Sequence, residues 1–192
     1  MPDRAGVPDA GAFARNSTCL QGSIVQINAS RGGLPKHPIA SGYIGELGIE
    51  GDLHAHPQIH GGPAKAILLI AAEVVHDLTA RGFSLFYGAL GENLTTQGIA
   101  ISQLRIGDRL RAGGALLEIT KPRGPCQALR IYGESLAAQI CDARVKALDP
   151  LSPRWGMSGF YARVVEPGIV RTNDTIESYN RLSISPLLQE HS

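Results

Sequence analysis

The sequence predicts a mainly β chain with a few helices, an α+β fold built around a barrel-like sheet. Three observations carry this. Glycine (23) and proline (12) are scattered through the 192 residues, as many turns between short strands require. Short apolar segments recur between those turn residues. Few stretches repeat apolar residues at helical spacing.

The elements follow in order. Ser23–Ala29 (SIVQINA) reads as a first strand, and Arg31–Ile44 as a loop bearing glycine and proline. Ala66–Ile70 (AILLI) is a buried strand. Ala71–Arg81 is a helix: Val74, Val75 and Leu78 fall at helical spacing, and Gly82 can end it in a left-handed cap. Arg109–Arg111 and Ala115–Thr120 flank Ala112-Gly113-Gly114, a β-hairpin with a glycine turn. Glu134–Ala147 reads as a second helix, with Leu136, Ile140, Val145 and Leu148 apolar and Pro150 ending it. Gly159–Val165 and Ile169–Thr172 flank Glu166-Pro167-Gly168, a second hairpin, and Ile176–Tyr179 is a last strand. Closing this sheet gives a barrel, complete or nearly so. The division expected is a poorly ordered leader over 1–21, a folded domain over 22–180 and a loose tail over 181–192.

Composition excludes several classes. Lysine plus arginine is 18 against 17 aspartate plus glutamate, a net charge of +1. That balance gives no global attraction to nucleic acid or to an anionic membrane. No apolar run reaches the roughly 18 residues a membrane-spanning helix needs. The first residues lack the apolar core of a secretory signal, and Asp3 and Asp9 are unlike a transit peptide. Cys19, Cys126 and Cys141 are far apart and form no CxxC pair. An odd number of cysteines without a signal fits a reducing cytoplasm. The hydrophobic fraction of 43% is enough for a core.

Cys126 is the chief chemical candidate. It ends Lys-Pro-Arg-Gly-Pro-Cys (121–126), and Arg130 follows. Lys121, Arg123 and Arg130 put positive charge near one thiol, which favours the thiolate that attacks, carries sulfur or ligates a soft metal. Two prolines make the segment a stiff turn. The competing reading is a small buried hydrophobe near a helix start. Gly48–Lys65 (GIEGDLHAHPQIHGGPAK) holds Asp52, His54, His56 and His60, a set that could bind zinc. Alternatively His60 and the Gly61-Gly62 amides approach an anion, or the histidines only serve a polar loop. Gly91-Glu92-Asn93-Leu94-Thr95 places two polar residues in an apolar stretch. Asn93 could orient a ligand there, or cap its own backbone. Arg154–Arg163 (RWGMSGFYAR) could hold a flat heterocycle, but Trp155 and Phe160 read better as core.

Taken in order, Gly-Ile-Glu-Gly-Asp (48–52), Ile-His-Gly-Gly-Pro-x-Lys-Ala (59–66), Gly-Glu-Asn-Leu (91–94), Ile-Gly-Asp (106–108) and Pro-Arg-x-Pro-Cys (122–126) resemble the MOSC domain. The name refers to the C-terminal domain of molybdenum cofactor sulfurases. Gly-Phe-Tyr-Ala-Arg-Val-Val-x-Pro-Gly (159–168) is similar to the closing segment of the stand-alone bacterial YiiM-like group. The resemblance runs from about Gly22 to Ile176.

The resemblance implies a β-barrel-like domain and a molybdenum cofactor, a pyranopterin with dithiolene and phosphate. It implies that Cys126 is the functional thiol: the metal ligand, as in amidoxime-reducing relatives, or a handler of cofactor sulfur, as in the sulfurases. Lys121, Arg123, Arg130, His60, Gly61, Gly62 and Lys65 would then lie along the cofactor, and Glu92 and Asn93 would close the pocket. The implied reaction is reduction of N-hydroxylated compounds such as hydroxylaminopurine-like bases. A separate electron-donor protein is needed, because the chain has no GxGxxG and no cysteine cluster for iron–sulfur. The assembly could be a homodimer. Three other readings stand beside this one: a sulfur carrier with a persulfide on Cys126, a non-catalytic protein that binds and delivers the cofactor, and a zinc hydrolase on Asp52, His54, His56 and His60.

Overall fold

The computed structural model describes residues 19–53 and 61–179. The strands are β1 (Gln21–Ala29), β2 (His37–Ile39), β3 (Ser41–Gly45), β4 (Gly48–Ile49), β5 (Ile67–Ala71), β6 (Leu94–Gln97), β7 (Arg109–Ala112), β8 (Ala115–Pro122), β9 (Phe160–Glu166), β10 (Gly168–Arg171) and β11 (Thr175–Tyr179). Seven of them form a ring in the order β1-β11-β7-β8-β9-β5-β6, and β6 returns to β1. The expected barrel is therefore closed. β2 extends β1 as an edge, while β10, β3 and β4 make a second small sheet.

An odd number of strands cannot alternate in direction all the way round a closed ring, so at least one neighbouring pair must be parallel. Here it is β5 with β6, in register Leu69↔Leu94, and the other six ring pairs are antiparallel. A parallel pair needs a crossover, and helix Ala72–Ala80 lies within it. The crossover brings the residues just before β6 beside the start of β5. Asn93 N–H donates to the Leu68 carbonyl at 2.8 Å.

β5 is buried on both faces, so its sequence is a continuous apolar run. Ile67, Leu69 and Ala71 join the barrel core with Phe160, Leu117, Ile24 and Leu94. Leu68 and Ile70 belong to a second core on the outer flank, under Leu78, Leu90, Leu129, Leu136 and Ile140. Trp155 and Phe160 are core residues, their rings 5.4 Å apart edge to face. Trp155 Nε1 donates to the Leu104 carbonyl at 2.8 Å, which satisfies the one polar atom of the indole.

Three expectations need correction. The loop at 31–44 contains β2 and most of β3, short strands whose sequences show little apolar character. The helix expected over Glu134–Ala147 is two pieces, Leu136–Ile140 and Ala143–Lys146. Cys141 and Asp142 are extended, and the Asp142 carboxylate accepts from Val145 N–H at 2.8 Å, which caps a fresh helix start. Leu148, expected on the apolar face, is half exposed. The segments either side of Glu166-Pro167-Gly168 are strands but not a hairpin. β9 pairs with β8 and β5, whereas β10 pairs with β3 in the other sheet. The β7–β8 hairpin, the Gly82 cap (φ 95°) and the last strand match the expectation.

Candidate active site

Six segments meet around one cavity of about 190 Å³ on the outer flank of the barrel. Its wall includes Leu34, Leu68, Leu90 and Tyr161, and its polar groups are Lys36, Lys65, Asn93, Arg123 and Cys126. Leu68, Leu90 and Tyr161 also belong to the outer core, so the cavity is a recess in that layer.

The end of β8 sets the first polar group. Pro122 faces Phe160 across the β8–β9 ladder. Arg123 N–H then bonds the Gly159 carbonyl at 2.9 Å, carrying the ladder one step further. Gly159 has to be glycine here, because its φ is 81° and a Cβ would sit 2.4 Å from the Leu69 carbonyl oxygen. Anchored in this way, the Arg123 side chain is 4% exposed. Its Nη2 lies 3.8 Å from Cys126 Sγ, and its Nη1 is buried without a hydrogen-bond partner. Cys126 is half-buried and stands immediately before a 3-10 turn over Gln127–Tyr132. Burial pushes the Tyr161 hydroxyl above its ordinary range, and the Arg123 charge opposes that rise.

The opposite side of the recess is an ion-paired cluster. Lys36 Nζ is paired with Asp52 Oδ2, and both side chains are almost fully buried. Asp52 Oδ1 accepts from Ser30 N–H at 2.8 Å, and Oδ2 also accepts from Asn93 Nδ2 at 2.7 Å. Burial lowers the Lys36 ammonium from the ordinary lysine range, with the Asp52 carboxylate opposing. The Asn93 carbonyl oxygen accepts from Leu68 N–H at 3.2 Å. Both ends of the Asn93 amide are thus engaged within the protein, where they hold Asp52 and β5.

Glu92 is fully buried behind the wall and is not part of the lining. Burial raises its carboxyl well above the ordinary range. Its Oε1 accepts from Gly88 N–H at 2.6 Å and from the Thr95 hydroxyl at 3.1 Å, while Oε2 has no partner. It shapes the Gly88–Glu92 turn, and Gly88 in turn receives the backbone of Lys36 (Lys36 N–H to Gly88 O, 3.0 Å).

The other expected residues are placed as follows. Lys65 lines the cavity. Gly61 and Gly62 precede the 3-10 turn Pro63–Lys65 and are not among the lining residues. Lys121 is opposite Tyr161 in the β8–β9 ladder, with Nζ 6.0 Å from that ring's centroid. Arg130 pairs with Glu134 at 3.2 Å in a separate surface recess that touches the far side of Cys126. His54, His56 and His60 lie outside the described residues, and Asp52, the fourth member of that set, is engaged by Lys36, Asn93 and Ser30. Among the described residues no group of three or more His, Cys, Asp or Glu could hold a metal ion. Lys36 was missed by sequence reasoning. It lies in a polar, proline-bearing stretch, and only its burial marks it.

The MOSC domain family model matches residues 56–177. The chain belongs to the MOSC domain family. Within it, this MOSC protein is similar to Protein YiiM of Escherichia coli, at 34% identity over 144 residues, 72% of this chain and 59% of that one. It is also similar to YflK of Bacillus subtilis, at 33% identity over 137 residues, 69% of this chain and 56% of the relative. It therefore spans somewhat more than half the length of these curated relatives. The crystal structure of YiiM from Geobacillus stearothermophilus superposes with a TM-score of 0.64 at 26% identity, covering 83% of this chain and 76% of that one. This MOSC protein thus falls in the YiiM group by sequence and by fold. No helix among the described residues is long and apolar enough to cross a membrane.

Proposed function

We propose that this MOSC protein binds the molybdenum cofactor in the recess beside Cys126 and reduces N-hydroxylated compounds of the hydroxylaminopurine kind. One observation carries the reading: a half-buried thiol on a cavity wall, 3.8 Å from a buried guanidinium that has an unpartnered N–H. A buried donor without a partner costs about 1–3 kcal/mol, and an anionic group in the cavity would remove that cost. The donor set fits the cofactor in kind, with a soft sulfur for a thiophilic metal and cations for a phosphate.

Cys126 would hold the metal, and Arg123, with Lys65 nearby, would hold the anionic end. Bound there, the cofactor supplies a two-electron redox centre. Leu34, Leu68 and Leu90 exclude water from the recess, which strengthens each charge interaction inside it. Electrons come from a separate donor protein. The setting is the cytoplasm, where unpaired thiols persist, and the protein is free to act as a homodimer.

The test is to produce the protein in a host that makes the cofactor, measure molybdenum, and assay hydroxylaminopurine with a reducing donor. Near-stoichiometric molybdenum and turnover are expected, and both should vanish in Cys126→Ala. Full activity of Cys126→Ala would overturn the reading. A mass gain of one sulfur on Cys126 without molybdenum would replace it by a sulfur carrier, and bound cofactor without turnover by a delivery protein.

A further inference from the structure

We infer that Lys36 is the proton donor of this site, a catalytic residue, and that Asp52 is the residue that positions it. The inference rests on the reductive reading above and names the acid that such a reaction requires.

The geometry has three parts. Lys36 lines the same cavity as Cys126 and Arg123, yet its side chain is only 7% exposed. Its ammonium carries three donors, and among the described residues Asp52 Oδ2 is its one hydrogen-bond partner, so two N–H bonds are left for a ligand. Asp52 is itself fixed, by Ser30 N–H on one oxygen and by Asn93 Nδ2 with Lys36 on the other. A buried ion pair is a weak source of stability, since desolvating both charges offsets most of their attraction. A pair kept in a cavity wall, with donors to spare, is better explained by chemistry done there.

Reduction of R–NH–OH to R–NH2 and water breaks the N–O bond and consumes two electrons and two protons. The two electrons come from a separate reduced carrier protein, which is oxidised in the process. Lys36 gives one proton to the departing oxygen and regains it from solvent, and solvent supplies the other. Without an acid the oxygen would leave as hydroxide, a poor leaving group in a recess walled by leucines. Asp52 keeps the ammonium in place and favours its charged form. Burial of the ammonium works the other way and brings its titration below the ordinary lysine range, nearer to working pH. Among the described residues, the other charged groups near Lys36 are Glu92, on the turn before β6, and Arg123 and Lys65, which line the same cavity.

The test compares wild type, Lys36→Arg, Lys36→Met and Asp52→Asn, all produced in the cofactor-making host. Lys36→Arg keeps a cation beside Asp52 but does not release a proton near neutral pH. It should retain molybdenum and melting temperature while kcat falls by about 100-fold or more. Wild-type kcat should decline as pH rises through the Lys36 titration, and that limb should be absent from Lys36→Arg. Asp52→Asn should shift the limb to lower pH. A readout without activity is 13Cε-detected NMR of lysines in cofactor-free protein: one signal, absent from both Lys36 variants, should titrate below the others. Unchanged kcat and pH limb in Lys36→Arg, with molybdenum bound, would overturn the lysine's role and leave the reductase reading intact. Wild type that neither binds molybdenum nor turns over would overturn the reductase reading and the lysine's role together. If Lys36→Met fails to fold, Lys36→Arg and the NMR titration decide the matter.

Discussion

Asn93 Nδ2 donates to Asp52 Oδ2 at 2.7 Å, while the other end of the same amide accepts from the backbone of Leu68. One side chain thus ties the turn before β6 to the loop after β4 and to the edge of β5. Asn93→Ala would strand the Leu68 N–H and take one donor from a buried carboxylate. A loss of about 3 kcal/mol is expected in urea unfolding followed by circular dichroism. A loss under about 1 kcal/mol would show that the clamp carries little.

Glu92 gives the fold a pH dependence of definite sign. Burial raises its folded pKa, so between the ordinary glutamate value of about 4.3 and that raised value the folded chain binds more protons than the unfolded one. Its contribution is complete below the ordinary value and declines as pH rises through the window. Glu92→Gln keeps an acceptor for Gly88 and Thr95 but cannot ionise. Its unfolding free energy should therefore fall less steeply than that of wild type as pH rises above the ordinary glutamate value. Equal slopes would mean that Glu92 does not carry this dependence.

Gly159 is held at φ 81° with the Leu69 carbonyl where a Cβ would go. Gly159→Ala must move β5 or the Arg123 rung. It should lower stability by at least about 2 kcal/mol. It should also disturb the Arg123 N–H, which amide exchange can follow. A variant with unchanged melting and exchange would contradict this close approach.

The three thiols should differ in reactivity. Cys19 is exposed, Cys126 borders the cavity, and Cys141 is buried, its thiol pushed up by that burial. Iodoacetamide on the native protein should label Cys19 and Cys126 and spare Cys141 until denaturant is added, as read by peptide mapping. Native labelling of Cys141 ahead of Cys126 would contradict this placement.

The barrel was legible because glycine and proline cut the chain into short segments, and because β5 announces itself as the apolar run ILLIA. The two-piece helix was not, since Asp142 looks like any exposed residue until its carboxylate is seen capping Val145. The false hairpin at Glu166–Gly168 shows a different limit. A Pro-Gly turn marks where the chain bends, but which strand each arm joins is decided by distant partners, here Tyr43 for Ile169 and Leu117 for Val164. At the site, Cys126 and Arg123 stood out through their motif. Lys36 had no local signal at all, because its meaning depends on Asp52 and on burial. Arg130 follows the opposite pattern: near Cys126 in sequence, it spends its charge on Glu134 at the surface.

The pairing of β1 with β11 joins the two ends of the described chain and completes the ring. Lys36, Asp52, Asn93, Arg123 and Cys126 come from stretches far apart in sequence, yet meet at one place. Bringing such remote positions together costs loop-closure entropy that local contacts do not. The recess is therefore a property of the assembled sheet and loops together, and a loosened ring would blur it even with every lining residue in place.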